Sequence, residues 1–471
     1  MSARARCALE LALLAAALVA VGIGAERALT ERFRFRADAE HLVMAWNLAH
    51  HGVVSRVDGR GAVPRPTWRR EPLYPALLAV YLAARTDPGL HDLPCLAQGA
   101  DACRPVLRRL KQVNVALLVA LSLASFWAAR ELLGPGPLAW GAFALSATNG
   151  VFWSLLNDLR TETAAALCLL VASTFLHRIA LGSRRRRDVL GAGVAFGLLI
   201  LVKAIFLYVV PAVLGLTVWL ALRPAQRAAA ARLGTAMLVA LVVAGAWMAR
   251  NAVHGGPFRV AEDRAVLAIR AEYDTMTWRE WRAAWLYFAR DLPPAKRALE
   301  RWFEPADWER LRREAPDGFY LRAKHDVGAA AERAGPGPKG GKAKPAVLEA
   351  AAREVILEHL PMHVALTGPL AVQASLVYER WFRFWPVGAL QAWLGYAFVP
   401  ALLAASALLL AQRRPERLAF FLPSLACFAL HVGATHAIAR YSWPLLPVAT
   451  IALAALPALA LQRRRDQPFS S

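Results

Sequence analysis

Residues 72–83 read PLYPALLAVYLA. The run is apolar, yet it is only about a dozen residues long where a helix needs roughly 20 to cross a hydrocarbon core. Whether it crosses sets the sidedness of everything after it. If it does, the arginine clusters SRRRR (183–187), RPAQRAAAARL (223–233), QRRPER (412–417) and QRRRD (462–466) fall outside the membrane. If it lies in the outer interface instead, all four face the cytoplasm, as the positive-inside rule requires. We therefore read 72–83 as an interfacial helix.

The remaining sequence fits that choice. Of 471 residues, 57% are hydrophobic, far above a soluble domain. Apolar runs cover the N-terminus and about 112–130, 138–156, 162–180, 189–202, 204–222, 233–249, 390–411, 418–438 and 443–461. The expected fold is an all-α polytopic membrane protein of about ten spans, with interfacial helices in the first outer loop. The basic, then apolar start MSARARCALELALLAAALVAVGIGA has the form of a signal peptide, but is read as a retained first span because so many spans follow. Both termini are then cytoplasmic. Residues 1–249 form a transmembrane module containing the first outer loop, 26–111. Residues 250–389 form a second outer region, and 390–471 hold the last spans and a basic tail. The net charge of +22 reflects basic inner loops and anionic lipid, and no nucleic-acid motif is present.

Some charges break the positive-inside pattern. Arg160 in NDLRTE, Lys203 in LILVKAIFL, Arg250 in WMARNAVHGG and Arg440 in HAIARYSWP all fall at the outer ends of spans. Snorkelling accounts for Arg160 or Arg440 taken singly. Lys203 lies between two long apolar runs, where an ionisable group is costly and faces a cavity or a partner. Acids occur at the same level. Asp38 and Glu40 open the run ADAEHLVMAWNLAHHG (37–52), and Asp158 and Glu162 flank the turn at Arg160. Asp38 suits a helix cap and Glu162 a first-turn acid. Together, acids and cations on separate outer turns have the makings of a site. Carboxylates can take a proton, and cations can neutralise a lipid-linked phosphate.

At these residues the chain resembles the GT-C membrane glycosyltransferases, in particular the protein O-mannosyltransferase and lipid A aminoarabinose transferase group. The stretches that carry the resemblance are ADAEHLVMAWNLAHHGVVS, REPLYPALLAVYLA, LNDLRTETAAALCLLVA, GVAFGLLILVKAIFLYVVPAVL, AWMARNAVHGGPF, REVILEHLPMHV and ARYSWPLLPV. The resemblance implies a GT-C-type helical bundle in the bacterial inner membrane. It also implies a polyprenyl-phosphate-linked sugar donor and transfer at the outer face with a catalytic Asp in the first outer loop, here Asp38. The group often has DE where this chain has DAE, which displaces Glu40 by one residue and leaves it a secondary candidate. The second acid falls at Glu162 or Asp158. Lys203, Arg250 and Arg440 match positions for donor-phosphate contacts, with Arg160 and Tyr441 as secondary candidates. Attack by an acceptor hydroxyl with Asp38 as base inverts the anomeric centre. The acceptor is a protein, a lipid or a glycan.

No metal-ligand set stands out. His359 and His363 are four apart with Pro361 between them, and His50 and His51 are adjacent. No cofactor is assigned, and a divalent metal is left open. Cys95 and Cys103 share an outer loop that permits a disulfide. GPGPKGGKAKP (335–345) lacks the spacing of a phosphate loop, GAGVAFG (191–197) reads as a close helix contact, and ERWFRFWP (379–386) as an interfacial belt. Two other functions stay open: a polysaccharide polymerase or ligase with a lipid-diphosphate donor, and a transporter. Against transport, the charges gather at one face and no internal repeat is found.

Overall fold

The computed structural model describes residues 2–31, 37–56, 64–85, 104–261, 266–290, 293–312, 315–333, 345–375, 388–412, 414–435 and 439–466. Among these residues the regular elements are helices, with no strand. Among the described residues six helical stretches are long and apolar enough to cross a membrane, against the ten or so spans expected: Arg4–Ala28, Pro105–Leu133, Glu162–Ala180, Ala204–Ala221, Pro224–Val253 and Arg440–Ala460, with the bent pair Val347–Glu358 and Leu360–Ser375 a seventh if it counts as one span. The chain divides into two compact units. The first comprises residues 1–262, 380–425 and 443–471, and the second comprises 263–379 and 426–442.

The first unit opens with α1 (Ala3–Ala28), α2 (Ala37–His51), α3 (Leu73–Ala83), α4 (Arg104–Leu110) and α5 (Gln112–Leu133). The expected interfacial run is thus an isolated 11-residue helix, α3. The expected span at 138–156 is two short helices, α6 (Pro137–Ala147) and α7 (Gly150–Leu155). The break falls at Asn149, whose side chain caps α7 by accepting from the Val151 N–H. Next come α8 (Glu162–Ala180) and α9 (Arg186–Val202), a 3-10 segment (Ala204–Val209), α10 (Val210–Ala221) and α11 (Arg227–Val253).

Helix α8 is the centre of this unit: 72% of its most apolar window is buried, against 6% for α1. It carries Glu162 in its first turn and His177 and Arg178 in its last, which suits the helix dipole at both ends. The glycines of GAGVAFG seat α9 on α11. A Cβ on Gly193 would lie 2.6 Å from Val239 Cβ and 2.7 Å from the Ala236 carbonyl oxygen, and one on Gly197 would lie 2.6 Å from Val243 Cβ. The backbones approach because nothing projects between them.

The second unit contains α12 (Val266–Asp274), α13 (Trp278–Tyr287), α14 (Pro293–Trp302), α15 (Pro305–Glu309), α16 (Phe319–Arg333), α17 (Pro345–Glu358) and α18 (Leu360–Ser375). Helices α12, α16 and α17 close on a core that includes Ala271, Val327, Ala352 and Val355. A capping box between Thr277 and Glu280 starts α13. His363 does not pair with His359: its Nδ1 donates to Asp274 Oδ2 at 2.7 Å, and Arg270 pairs with the other oxygen of that carboxylate. Helices α17 and α18 meet at 96°. The remaining helices are α19 (Gly388–Ala411), α20 (Pro415–Leu418), α21 (Leu422–Ala434), α22 (Ala439–Ser442) and α23 (Leu446–Asp466).

Candidate active site

One end of the first unit is held by buried amides. Asn114 on α5 donates from Nδ2 to the carbonyls of Leu156 and Asp158, both at 3.0 Å, and its Oδ1 accepts from Tyr74 of α3 at 2.8 Å. Asn157 ties the same turn to the end of α1. Its Nδ2 donates to the Ala28 carbonyl at 3.0 Å, and its Oδ1 accepts from the Thr30 N–H at 2.6 Å and the Thr30 hydroxyl at 2.9 Å. The fully buried Lys111 donates to the Thr30 carbonyl at 2.8 Å. Buried, satisfied networks of this kind fix geometry, and losing one partner leaves the others desolvated. The turn carrying Asp158 and Arg160 is therefore rigid, and so is the start of α8.

Four sequence-expected residues fall here, in two pairs. Glu162, wholly buried, faces Lys203 with Oε1 at 3.4 Å from Nζ. Lys203 is the extended residue (φ −145°, ψ 106°) that interrupts the helix between α9 and the 3-10 segment. Glu71, from the segment before α3, accepts the Ala204 N–H freed by that break at 3.4 Å. Asp158 is buried, with Arg160 Nε 3.8 Å from its Oδ2. Glu40 is clamped instead: Arg56 Nη2 lies 2.7 Å from Oε1 and Arg70 Nη2 lies 2.8 Å from Oε2. A carboxylate answered by two guanidiniums ties α2 to the chain that follows it.

His41 is a residue that sequence reading missed. It is buried on α2, edge-on to Tyr74 with ring centroids 5.6 Å apart, and its Nδ1 has no hydrogen-bond partner. Burial pushes its pKa down to about 4; Arg70 adds to the shift, Glu162 and Glu40 oppose it, and Lys203 again lowers it. His41 is thus neutral at pH 7 and shares an electrostatic neighbourhood with both members of the buried pair. Asp38 lies in the first turn of α2, three residues before His41, and its side chain falls outside the described residues.

The other expected residues lie on α11 and α22. Arg250, near the end of α11, lies 4.6 Å over the Trp247 ring and donates to Asn251 Oδ1 at 3.0 Å. Asn251 and Trp247 in turn bind the carbonyls of Arg259 and Val260, at 2.9 and 3.0 Å, so this corner is stapled locally. Arg440 and Tyr441 lie on α22 in the second unit, where Tyr441 stacks on His431 at 4.6 Å. Cys95 and Cys103 lie outside the described residues. Among the described residues, no three His, Cys, Asp or Glu side chains gather as a metal site.

No family model matches the chain. No curated protein matches it either. Two solved structures of the Archaeoglobus fulgidus oligosaccharyltransferase align with it. One is a complex with Zn and sulfate, at 13% identity and TM-score 0.48, covering 95% of this chain and 50% of that one. The other is tethered by a disulfide to an acceptor peptide containing the NVT sequon, at 15% identity and TM-score 0.49, covering 96% of this chain and 50% of that one. The chain spans about half the length of these two matches.

Chemically, the cluster offers a neutral imidazole, a buried carboxylate beside an ammonium, and two guanidiniums fixed on Glu40. It can hold an anion next to a proton acceptor while the helix break supplies a polar backbone in an apolar wall. His41 carried no signal of its own, because a histidine in an apolar helix looks like core until its neighbours are known. Arg56 and Arg70 reach Glu40 from 16 and 30 residues away, too far for any helical spacing to show.

Proposed function

We propose that this chain is an integral membrane glycosyltransferase of the GT-C type. It takes a sugar from a polyprenyl-phosphate donor and passes it to an acceptor hydroxyl at the outer face. The observation that carries this reading is the Glu162–Lys203 pair at the break after α9, electrostatically coupled to His41 one turn beyond Asp38. Asp38 opens the helix that carries His41.

In this reading the acceptor oxygen attacks the anomeric carbon as the bond from that carbon to the phosphate oxygen breaks. The acceptor proton passes to the Asp38 carboxylate, and the anomeric centre inverts. Lys203 meets the charge left on the departing phosphate. Glu162 sets the position of the Lys203 ammonium, and Asp158 with Arg160 shapes the rim beside it. The protein sits in a bacterial inner membrane with both termini in the cytoplasm, and the prenyl tail stays in the bilayer.

The deciding experiment uses purified protein in detergent with a radiolabelled polyprenyl-phosphate sugar. Asp38→Asn is expected to lower transfer by at least a hundredfold, the span of a general base, with the unfolding temperature unchanged. Transfer at the parent rate in that variant removes Asp38 as the base.

A further inference from the structure

Helix α13 faces the wrong way for a helix in water. Its buried positions are Glu280, Ala283, Ala284 and Tyr287, and Glu280 is held inside by Arg322. Its outward positions, spaced by four and three, are Trp278, Arg282 and Trp285. A helix on a water-covered surface turns its apolar residues in and its acids out. Here the acid lies inside and two indoles lie outside, Trp278 with 55% of its surface exposed.

The same surface continues onto α18. Trp281, whose ring lies 5.5 Å from that of Trp278 and 6.1 Å from that of Trp285, donates from Nε1 to the Ala365 carbonyl at 2.9 Å. The Trp285 ring rests on Gly368, where a Cβ would collide with it. Gly368 ends a stripe of residues spaced by four, the others being Leu360 and Val364. Both are exposed, Val364 by 64%. Indole and aliphatic surface thus run together from Trp278 to Leu360. The Arg282 guanidinium stands between the two outer indoles, exposed and without an ion pair among the described residues.

We infer that this face of the second unit lies on the bilayer surface, with Trp278, Trp285, Leu360 and Val364 below the headgroups and the Arg282 guanidinium on a lipid phosphate. Indoles and arginine settle at that depth because each joins an apolar body to a polar tip. The aliphatic stripe favours lipid over a sugar stacked on the indoles. A sugar needs hydrogen-bonding side chains around it, and Leu360 and Val364 have none. The inference needs only a membrane-embedded chain and does not depend on the transfer reaction. Under the topology proposed above, the leaflet is the outer one.

The test is spin labelling of the full chain in a cysteine-free background, one copy per nanodisc of phosphatidylethanolamine and phosphatidylglycerol. Relaxation by dioxygen, which concentrates in hydrocarbon, is compared with relaxation by a nickel chelate, which stays in water. Labels at Trp278→Cys, Leu360→Cys and Val364→Cys are expected to give a dioxygen-to-nickel ratio above one. A label at Lys324→Cys on α16, an exposed charged position, is expected to give a ratio below one. Arg282→Glu sets a carboxylate against the phosphates and is expected to lower the ratio at Val364 towards that at Lys324. If Trp278→Cys does not fold, the two labels on α18 carry the test. A ratio below one at both of these overturns the proposal. Low access to both reagents there, the mark of a covering protein segment, overturns it too, as does a soluble maltooligosaccharide that cuts nickel access at Val364. An unchanged ratio in Arg282→Glu overturns the phosphate contact.

Discussion

Glu162 is wholly buried, and the Lys203 ammonium answers its charge at 3.4 Å. Taking one partner from a buried pair leaves the other charge stranded, at a cost of about 3–5 kcal/mol. Lys203→Met should therefore lower the unfolding temperature strongly, and adding Glu162→Gln should restore most of it. Donor affinity separates the two roles of the lysine. It is expected to stay low in the double variant, whereas recovery alongside stability would make the pair purely structural. His41 gives a second prediction. Its folded-state pKa of about 4 lies below the ordinary value of 6.5, so the unfolded chain binds the proton more readily between those values. Stability is fully present above about pH 6.5 and falls as the pH drops towards 4, by on the order of 3 kcal/mol. His41→Gln should flatten that slope in a pH series of unfolding curves. Glu162 and Lys203 could be picked from the sequence because a charge beside long apolar runs needs a reason. His41 could not, because its environment comes from Tyr74, Arg70 and Lys203, which only folding brings near.

At the scale of helices, the glycine contact between α9 and α11 is the sharpest feature. Gly193→Ala would place a methyl group 2.6 Å from Val239 and 2.7 Å from a backbone carbonyl. That overpacking is expected to cost about 1–3 kcal/mol. Gly245→Ala on α11 is the control, since nothing lies within 4 Å of its added methyl, and it should be neutral or slightly stabilising. Thermal unfolding of the two variants in one detergent checks both. The spacing of GAGVAFG was enough to foresee this contact, because small residues four apart leave a flat helix face. The division of 138–156 into α6 and α7 was harder to see, since its cause is a single side-chain cap at Asn149 inside an apolar run.

For the molecule as a whole, sidedness follows from a short helix. Only if α3 does not cross do the arginine clusters all fall on the cytoplasmic side, and its 11 residues are too few to span. In a cysteine-free background, a membrane-impermeant thiol reagent applied to intact cells should label Lys324→Cys and spare Ser183→Cys. The opposite pattern would invert the proposed topology. Composition and charge made the all-helical character plain. They could not show how residues 263–379 join 426–442 in one compact unit, because that grouping depends on packing between segments far apart in sequence.

The order of the buried pair along the chain bears on how the protein is made. Ribosomes deliver α8 before α9, so under the proposed topology Glu162 is in place at the outer end of its helix before Lys203 emerges. Lysine must then be carried through hydrocarbon to reach that side, a passage that costs roughly 2.5–3.5 kcal/mol for a lone cation at mid-membrane. A waiting carboxylate gives the incoming helix something to arrive at, and offsets part of that cost.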